Sequence, residues 1–244
     1  MIRFIVVASF VVLFLILSIP LLIAEWIIGK FNMELKGKSS LAIVNWAFRR
    51  VLRLSGVKIT CIGEERVPKD RAVLYIGNHR SYFDIVMTYV RVPRMTGYIA
   101  KIEMEKIPLL SNWMKNLHCL FLDRKDLKQG AKIIVTAVNK VKEGISICIF
   151  PEGTRNKTPD TFLPFHGGSF KIAEKTGCPI VPMAINNAAD IFEDHTPRIK
   201  KTHVVIEYGE PIWPEQLSKE DRKRLSEITL ERIREMYFKN KELV

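Results

Sequence analysis

The stretch RAVLYIGNHRSYFD, residues 71–84, carries side chains that could perform acid–base chemistry. Its apolar run 72–77 predicts a buried strand, after which His79 stands in a polar turn and Asp84 follows five positions later. Positions five apart diverge by about 140° on a helix and lie about 16 Å apart along a strand. The two side chains can therefore meet only if His79 lies in a turn and Asp84 in the first turn of a following helix. A carboxylate there would accept one imidazole N–H and leave the other ring nitrogen free as a base.

Spacing alone leaves a second interpretation open, in which residues 81–84 form an ordinary capping box and His79 is only a turn residue. The same spacing occurs between His118 and Asp123, within HCLFLD. That segment is typical of an extended strand, so we expect these two side chains to point apart.

A second polar stretch, FPEGTRN at residues 150–156, follows the apolar run ISICIF. Pro151 would end a strand and Gly153 would permit a tight turn, so Glu152 and Arg155 would emerge at the strand end. The alternative is a surface turn that contains an exposed ion pair. Because a histidine stands at the end of another strand, the combination favours a site at one edge of a sheet.

Composition limits the class of protein. The chain has 244 residues, 48% of them hydrophobic, and a formal net charge of +12, which predicts an acidic partner such as nucleic acid, anionic lipid or a phosphorylated substrate. Residues 1–60 hold eight Lys or Arg and two Glu. This charge lies beside apolar segments rather than among stacking aromatics, which argues against nucleic acid. The four cysteines have no metal-type spacing, so we expect buried reduced thiols and no metal site.

Residues 4–24 form an uncharged, largely apolar run that is long enough to cross a bilayer core. A signal peptide, a simple spanning helix and a helix turned back within one leaflet all remain open, and Pro20 favours a bend. A glycine- and lysine-containing linker over residues 29–38 then leads to a basic amphipathic helix at 39–54, bearing Arg49, Arg50 and Arg53. We therefore predict a membrane-seated two-helix motif at 1–56, with the domain 57–244 on the cytoplasmic side.

Beyond residue 57, strand and helix patterns alternate. Strands are predicted at 57–62, 72–77, 97–100, 119–122, 146–150, 180–185 and 203–208, and helices at 82–90, 108–116, 126–143, 168–175 and 219–241. Such alternation predicts an α/β fold with a largely parallel sheet covered by helices, and a site at the strand ends.

Taken together, NHRSYFD and FPEGTRN resemble the first and third motifs of the glycerolipid acyltransferase superfamily, and most of all its bacterial lysophosphatidic acid acyltransferases. Phe121-Leu-Asp-Arg124 resembles the end of the second motif, and Val181-Pro182 the fourth. The resemblance extends over about residues 70–185. It implies transfer of a fatty acyl group from acyl carrier protein or acyl-CoA to lysophosphatidic acid, giving phosphatidic acid. The thioester is then a co-substrate, and no cofactor is expected.

The resemblance also implies roles for individual residues. His79 and Asp84 would be catalytic, as base and orienting carboxylate. Substrate-binding roles are implied for Glu152, Gly153, Thr154, Arg155, Arg124 and Lys101. The arginines would hold the acceptor's phosphate, although Lys101 could equally be a solvated surface charge. Glu152 would hydrogen-bond the glycerol or position Arg155, and Gly153 with its neighbours would offer N–H groups to an oxyanion.

Two other functions remain open. One is acyl transfer to a different acceptor, such as glycerol 3-phosphate or another lysolipid. The other is a non-catalytic module that binds an anionic membrane through its charge. The chain has no G-x-S-x-G elbow, which favours direct transfer without an acyl-enzyme. An enzyme of this class is expected at the cytoplasmic side of the inner or plasma membrane.

Overall fold

The computed structural model describes all residues 1–244 as nine α-helices, seven strands and short 3₁₀ turns. The strands are β1 (Lys58–Ile62), β2 (Leu74–Gly77), β3 (Thr96–Lys101), β4 (Leu120–Leu122), β5 (Ser146–Ile149), β6 (Ile180–Asn186) and β7 (His203–Tyr208). The helices are α1 (Ile2–Leu17), α2 (Ile19–Phe31), α3 (Met33–Ser55), α4 (Phe83–Tyr89), α5 (Leu110–Asn116), α6 (Leu127–Lys142), α7 (Lys171–Thr176), α8 (Lys219–Lys223) and α9 (Leu225–Asn240).

The strands form one sheet in the order β1-β7-β6-β2-β5-β3-β4. All neighbours are parallel except β6 and β7, which run antiparallel. Every residue of β2 is buried, and β2 pairs with β5 on one side and β6 on the other. Because parallel strands end at the same edge, the segments that follow β2 and β5 emerge side by side. The predicted α/β fold with a largely parallel sheet is confirmed.

Helices cover both faces of the sheet. On one face, Val44 of α3, Met87 of α4 and Trp113 of α5 share an apolar cluster with Tyr75 and other strand residues. On the other face, α6, α7 and α9 pack in a second cluster, through residues that include Ala137, Ile172 and Ile233. Alternate residues of β2 enter opposite clusters, which is why this strand reads as a continuous apolar run.

The predicted apolar run is broken into α1 and α2, which meet at Ser18 with a bend of 47°. Pro20 lies in the first turn of α2, where a missing backbone N–H costs no helical hydrogen bond. By length and hydropathy neither helix alone could cross a membrane, whereas the bent pair together passes the same test. The Trp113 indole N–H donates to Ser18 Oγ over 2.9 Å, which fixes the bend to α5.

The linker predicted over residues 29–38 is wrong. The α2 helix continues to Phe31, and α3 begins at Met33, after Asn32 caps it by accepting the Leu35 N–H over 2.9 Å. Gly37 lies inside α3, where an added Cβ would come within 3.0 Å of Met95 Cε. This glycine therefore lies where α3 packs against Met95 and not in a flexible connection, and the N-terminal region holds three helices instead of two.

The predicted division at residue 56 coincides with the end of α3, where Gly56 adopts the left-handed conformation at φ 72°. The N-terminal helices nevertheless share the core of the α/β region, since Val7 and Val44 belong to the same cluster as Met87. Two other predicted helices differ locally. The 219–241 helix is broken at Arg224, and the 168–175 helix starts as a 3₁₀ turn at Gly167–Phe170.

Candidate active site

The His79 side chain lies in the loop between β2 and α4, and Asp84 is the second residue of α4. Their side chains meet as the five-residue spacing requires, with His79 Nδ1 at 2.8 Å from Asp84 Oδ2. The same carboxylate oxygen accepts the backbone N–H groups of Arg80 and Ser81, each over 2.8 Å. Because Asp84 accepts at Nδ1, the Nε2 atom is the ring nitrogen left to act as a base.

Aromatic packing fixes the plane of the imidazole. The His79 ring stacks on Phe150, which follows β5, with 4.4 Å between centroids and 18° between planes. Only 14% of the His79 side chain and 1% of the Asp84 side chain are exposed. A hydrogen bond at one edge and an apolar ring on one face therefore leave the imidazole little freedom to rotate.

Glu152 contacts the backbone of the loop that carries His79, and its implied hydrogen bond to the glycerol stays a prediction. The residue is buried, and its two carboxylate oxygens accept the backbone N–H groups of His79 over 2.8 Å and Leu163 over 3.2 Å. Burial raises the pKa of the Glu152 carboxyl, and the two N–H groups oppose that shift. Glu152 thus holds the backbone of the histidine loop and makes no hydrogen bond to Arg155.

Two asparagines that the sequence did not single out hold the same loop. Asn78 is buried, and its side-chain amide exchanges hydrogen bonds of 2.9 and 2.8 Å with the backbone of Ile185. The Asn156 N–H donates to the His79 carbonyl over 2.7 Å. Both lie in the quoted motifs at strand ends, so their positions could have been noticed, but their backbone partners could not.

Arg155 lies beside the first turn of α4. Its guanidinium stacks on the Tyr82 ring, 3.7 Å from the centroid, and its Nη2 donates to the Tyr82 hydroxyl over 3.1 Å. Its Nη1 donates to Glu193 over 3.0 Å. Glu193 comes from the connection between β6 and β7 and was not predicted, because that connection has no recognisable motif.

Gly153 and Thr154 form the turn that precedes Arg155. Gly153 has φ 71°, and its N–H donates to the Phe150 carbonyl over 3.1 Å, so it is already used. An added Cβ there would lie 3.3 Å from the His166 ring. Thr154 is exposed, and its backbone N–H makes no hydrogen bond within the protein. Of these two N–H groups, only that of Thr154 is free for an oxyanion.

The other two predicted substrate-binding cations lie at a distance from this group. Lys101 ends β3 and pairs with Glu103 over 2.8 Å, and Arg124 follows β4 as an exposed residue. Strand β3 lies directly beside β5 and two places from β2, and β4 is one place further out, so β3 and β4 lie about 10 and 14 Å from β2. Neither side chain makes a hydrogen bond or ion pair with the group around His79.

His118 and Asp123, which have the same five-residue spacing, make no hydrogen bond with each other, as predicted. His118 Nδ1 faces the Lys140 ammonium at 3.2 Å, and burial and Lys140 lower the pKa of His118 to about 4. The sequence analysis missed a real second pair, Asp190 and His195, whose atoms Oδ1 and Nε2 lie 2.6 Å apart. That pair joins two consecutive 3₁₀ turns, a geometry with no clear sequence signal.

Comparison with known proteins places these residues in a family. Residues 58–186 match the family described as Acyltransferase. The 1-acyl-sn-glycerol-3-phosphate acyltransferase of Borreliella burgdorferi is 35% identical over 141 residues, covering 58% of this chain and 56% of that protein. A probable 1-acyl-sn-glycerol-3-phosphate acyltransferase of Mycoplasma pneumoniae is 34% identical over 175 residues, covering 66% of this chain and 64% of that protein. The chain therefore spans less than two thirds of the length of either relative.

The fold is also similar to a solved structure. The crystal structure of the 1-acyl-sn-glycerophosphate acyltransferase PlsC from Thermotoga maritima superposes with a TM-score of 0.80 at 25% identity, covering 98% of this chain and 93% of that one. The matched family segment runs from β1 to the end of β6 and includes both loops that carry His79, Asp84 and Arg155. This chain belongs to the acyltransferase family.

Proposed function

We propose that this chain is a 1-acylglycerol-3-phosphate acyltransferase, which moves a fatty acyl group from a thioester to the free hydroxyl of lysophosphatidic acid. The observation that supports this most directly is the hydrogen-bonded pair His79 and Asp84 beside a loop that carries Arg155. The printed names of the relatives agree with it. Glycerol 3-phosphate and other lysolipids are the competing acceptors.

The pair supplies the proton chemistry of the proposed reaction. His79 Nε2 takes the proton of the acceptor hydroxyl as its oxygen attacks the thioester carbonyl carbon. The tetrahedral intermediate then collapses, the carbon–sulfur bond breaks, and the imidazolium returns the proton to the departing sulfur. One ester and one thiol result. Asp84 stabilises the imidazolium between the two steps, since its ionised oxygen accepts the Nδ1–H.

The properties of the cysteines favour direct transfer of the acyl group from the thioester to the acceptor, without an acyl-enzyme. Burial raises the pKa of Cys61 and of Cys119 to about 11, raises that of Cys148 further, and also raises that of Cys178. A thiol is a nucleophile only as the thiolate, which these groups do not form near neutral pH. An acyl-enzyme on cysteine is therefore disfavoured, and the acceptor's own hydroxyl serves as nucleophile.

Two groups on the loop after β5 would recognise the rest of the substrates. The Arg155 guanidinium suits the acceptor's phosphate because its planar donors match phosphate oxygens. The free N–H of Thr154 could donate to the oxyanion of the tetrahedral intermediate. Lys101 ends β3, the neighbour of β5, and Arg124 follows β4 one place further out; neither makes a hydrogen bond with this loop, and their implied phosphate role stays a prediction.

We also propose that the protein works at the cytoplasmic face of a membrane. Large apolar side chains of α1 and α2 are exposed, including Leu17 at 73% and Phe31 at 87%. Exposed Arg50 stacks over Trp46 at 5.5 Å, an arrangement suited to an anionic headgroup region. A lysolipid keeps its tail in the bilayer, so an enzyme seated there meets the hydroxyl near the headgroups.

The test uses the purified full chain in vesicles that contain phosphatidylglycerol. The acceptors are 1-oleoylglycerol 3-phosphate, its phosphocholine analogue, 1-oleoylglycerol and glycerol 3-phosphate. Each is tested with the palmitoyl thioester of acyl carrier protein or with palmitoyl-CoA as donor. We expect 1-oleoylglycerol 3-phosphate to give the highest kcat/KM, with one ester and one thiol formed per turnover. Preference for another acceptor would reassign the substrate, and turnover with none would remove the enzymatic proposal. Comparing the rates with the two acyl donors shows which thioester the enzyme uses.

A further inference from the structure

The Glu193 carboxylate accepts three hydrogen bonds from residues on two different loops. Its Oε2 accepts the Ser81 hydroxyl over 2.6 Å, and its Oε1 accepts the Tyr82 backbone N–H over 2.8 Å and Arg155 Nη1 over 3.0 Å. The side chain is 18% exposed. It stands 112 positions from Ser81 along the chain, so this contact joins the β6–β7 connection to the histidine loop.

We propose that Glu193 is a positioning residue that presents Arg155 to the phosphate of the acceptor. The inference rests on the proposed function, because it assumes an acceptor with a phosphate. It adds that the affinity of the phosphate site depends on a carboxylate, which is a charge that by itself would repel phosphate. The carboxylate acts through Arg155 and need not touch the substrate.

The hydrogen bonds of Arg155 support this. A guanidinium carries five N–H donors. One is used by Glu193 and one by the Tyr82 hydroxyl, and the ring of Tyr82 covers one face. Three donors are left for a ligand. Because both contacts restrain the planar group, the phosphate would meet donors that are already oriented, with less entropy lost on binding.

The same network ties the arginine to the base. Asp84 accepts the Ser81 N–H while Glu193 accepts the Ser81 hydroxyl, so one residue bridges the two carboxylates. The imidazole of His79 is bound to the first carboxylate and the guanidinium of Arg155 to the second. This arrangement sets the separation between phosphate site and base, which must match the separation between phosphate and hydroxyl in the acceptor.

The segment is itself held on both sides of Glu193. Phe192 stacks on Phe4 of α1, with centroids 5.7 Å apart and planes within 3°. Asp194 lies 3.7 Å from Arg80. Glu193 is therefore carried by a backbone whose two neighbours are anchored, and it is not a freely moving surface carboxylate.

The experiment compares Glu193→Ala and Glu193→Gln with the full wild-type chain in the vesicle assay. Glutamine keeps the shape of the side chain, so it stays informative should alanine impair folding. The matched control is Glu210→Gln, which also removes one negative charge, from an exposed carboxylate that pairs with Arg66. KM is measured for the acceptor 1-oleoylglycerol 3-phosphate and for the thioester donor, in wild-type and Arg155→Gln backgrounds.

We expect Glu193→Ala to raise the acceptor KM about tenfold and Glu193→Gln to raise it less, with the donor KM unchanged in both. In the Arg155→Gln background the further change should be under twofold, because the residue acts through Arg155. A lower acceptor KM would show that the carboxylate competes with phosphate, and an equal rise in both KM values would show a merely structural role. Either result overturns this proposal while wild-type turnover still upholds the proposed function.

Discussion

His79 depends on backbone contacts as much as on Asp84. Its N–H is bound by Glu152 and its carbonyl by the Asn156 N–H, while its ring is bound by Asp84 and stacked on Phe150. A motif shows which residue types recur at a site, but not that three of these four contacts come from residues 150–156, more than 70 positions away along the chain. The base is therefore positioned jointly by the loops that follow β2 and β5.

The first prediction concerns the proposed base. His79→Ala should lower kcat by at least about 100-fold, since general base catalysis typically contributes that much or more. Asp84→Asn should also be severely impaired, because Nδ1–H loses the charge that stabilises the imidazolium. Steady-state kinetics with saturating donor measures both.

The control for this prediction is His118→Asn, which removes the other histidine with an aspartate five positions later. Asparagine tolerates the left-handed backbone that His118 adopts at φ 59°. Its kcat should stay within about twofold of wild type. A His79→Ala protein that kept normal kcat would contradict the assignment of the base.

His118 also gives a prediction on acid stability. Its pKa is lowered to about 4 in the folded chain, because the ring is half-buried and lies beside Lys140. The unfolded chain would titrate near 6.5 and so binds more protons between these values. Stability should therefore fall as pH drops from 6.5 to 4, by less than about 3 kcal/mol from this group, because solvent screens the half-buried ring.

Thermal unfolding at pH 7.5 and pH 5 checks this in wild type and His118→Asn. The wild-type chain should lose more stability on acidification than the variant does. Equal losses in the two proteins would mean that the folded chain does not hold His118 in its neutral form beside Lys140.

Among the helices and strands, the sequence predicted correctly those elements that are determined by a local pattern of apolar and polar residues. Apolar runs ending in Asn, Pro or Gly marked β2 and β5, and strand–helix alternation placed their ends at one edge. The role of Glu193 could not be predicted from the sequence, because its hydrogen-bond partners are remote along the chain and its short 3₁₀ turn has no recognisable periodicity. The start of α3 was missed because Gly37 looks like a linker residue but serves a close approach to Met95.

The bend between α1 and α2 carries its own prediction. Trp113 and Ser18 are each 2% exposed, and the Ser18 hydroxyl accepts the indole N–H and itself donates to the Leu15 carbonyl over 2.9 Å. Ser18→Ala should destabilise the fold by about 1–3 kcal/mol, because it leaves a buried indole N–H without an acceptor. Trp113→Phe in the Ser18→Ala background should cost less than it does alone, since no N–H remains to be satisfied.

Chemical or thermal unfolding of wild type, the two single variants and the double variant gives the coupling free energy between Ser18 and Trp113. Thr136→Ala is the control, because the exposed Thr136 hydroxyl likewise donates to a carbonyl of the preceding helical turn, that of Lys132, but accepts no buried N–H. Its effect should stay within about 0.5 kcal/mol. Additive losses at Ser18 and Trp113 would mean that the two groups do not depend on each other.

For the molecule as a whole, the N-terminal helices are both core and candidate membrane surface. Val7 and Val44 pack in the cluster that covers one face of the sheet, so removing residues 1–56 would expose that cluster. Deletion is therefore a poor test of membrane seating. Substitutions at exposed apolar positions separate the two roles, because they leave the core contacts in place.

Leu17 and Phe31 are suited to this test, being 73% and 87% exposed. If they insert into the bilayer, replacing both with glutamine should cost roughly 1.5–3 kcal/mol of membrane affinity each. The double variant should bind phosphatidylglycerol vesicles more weakly, and its kcat/KM should fall for 1-oleoylglycerol 3-phosphate in vesicles. It should change little for a water-soluble 1-hexanoyl acceptor, whose short tail needs no membrane.

The difference between the two acceptors follows from the cost of extracting a tail, about 0.8 kcal/mol per methylene. An enzyme detached from the membrane must supply that free energy from its own binding site, and a hexanoyl chain has few methylenes to extract. Leu127→Gln is the control, because Leu127 is 88% exposed but lies on α6, outside the N-terminal helices. It should leave vesicle binding and both kcat/KM values unchanged. Equal turnover of vesicle-embedded acceptor by wild type and the Leu17→Gln/Phe31→Gln variant would show that these side chains do not seat the enzyme, and the acceptor would then have to reach His79 from water.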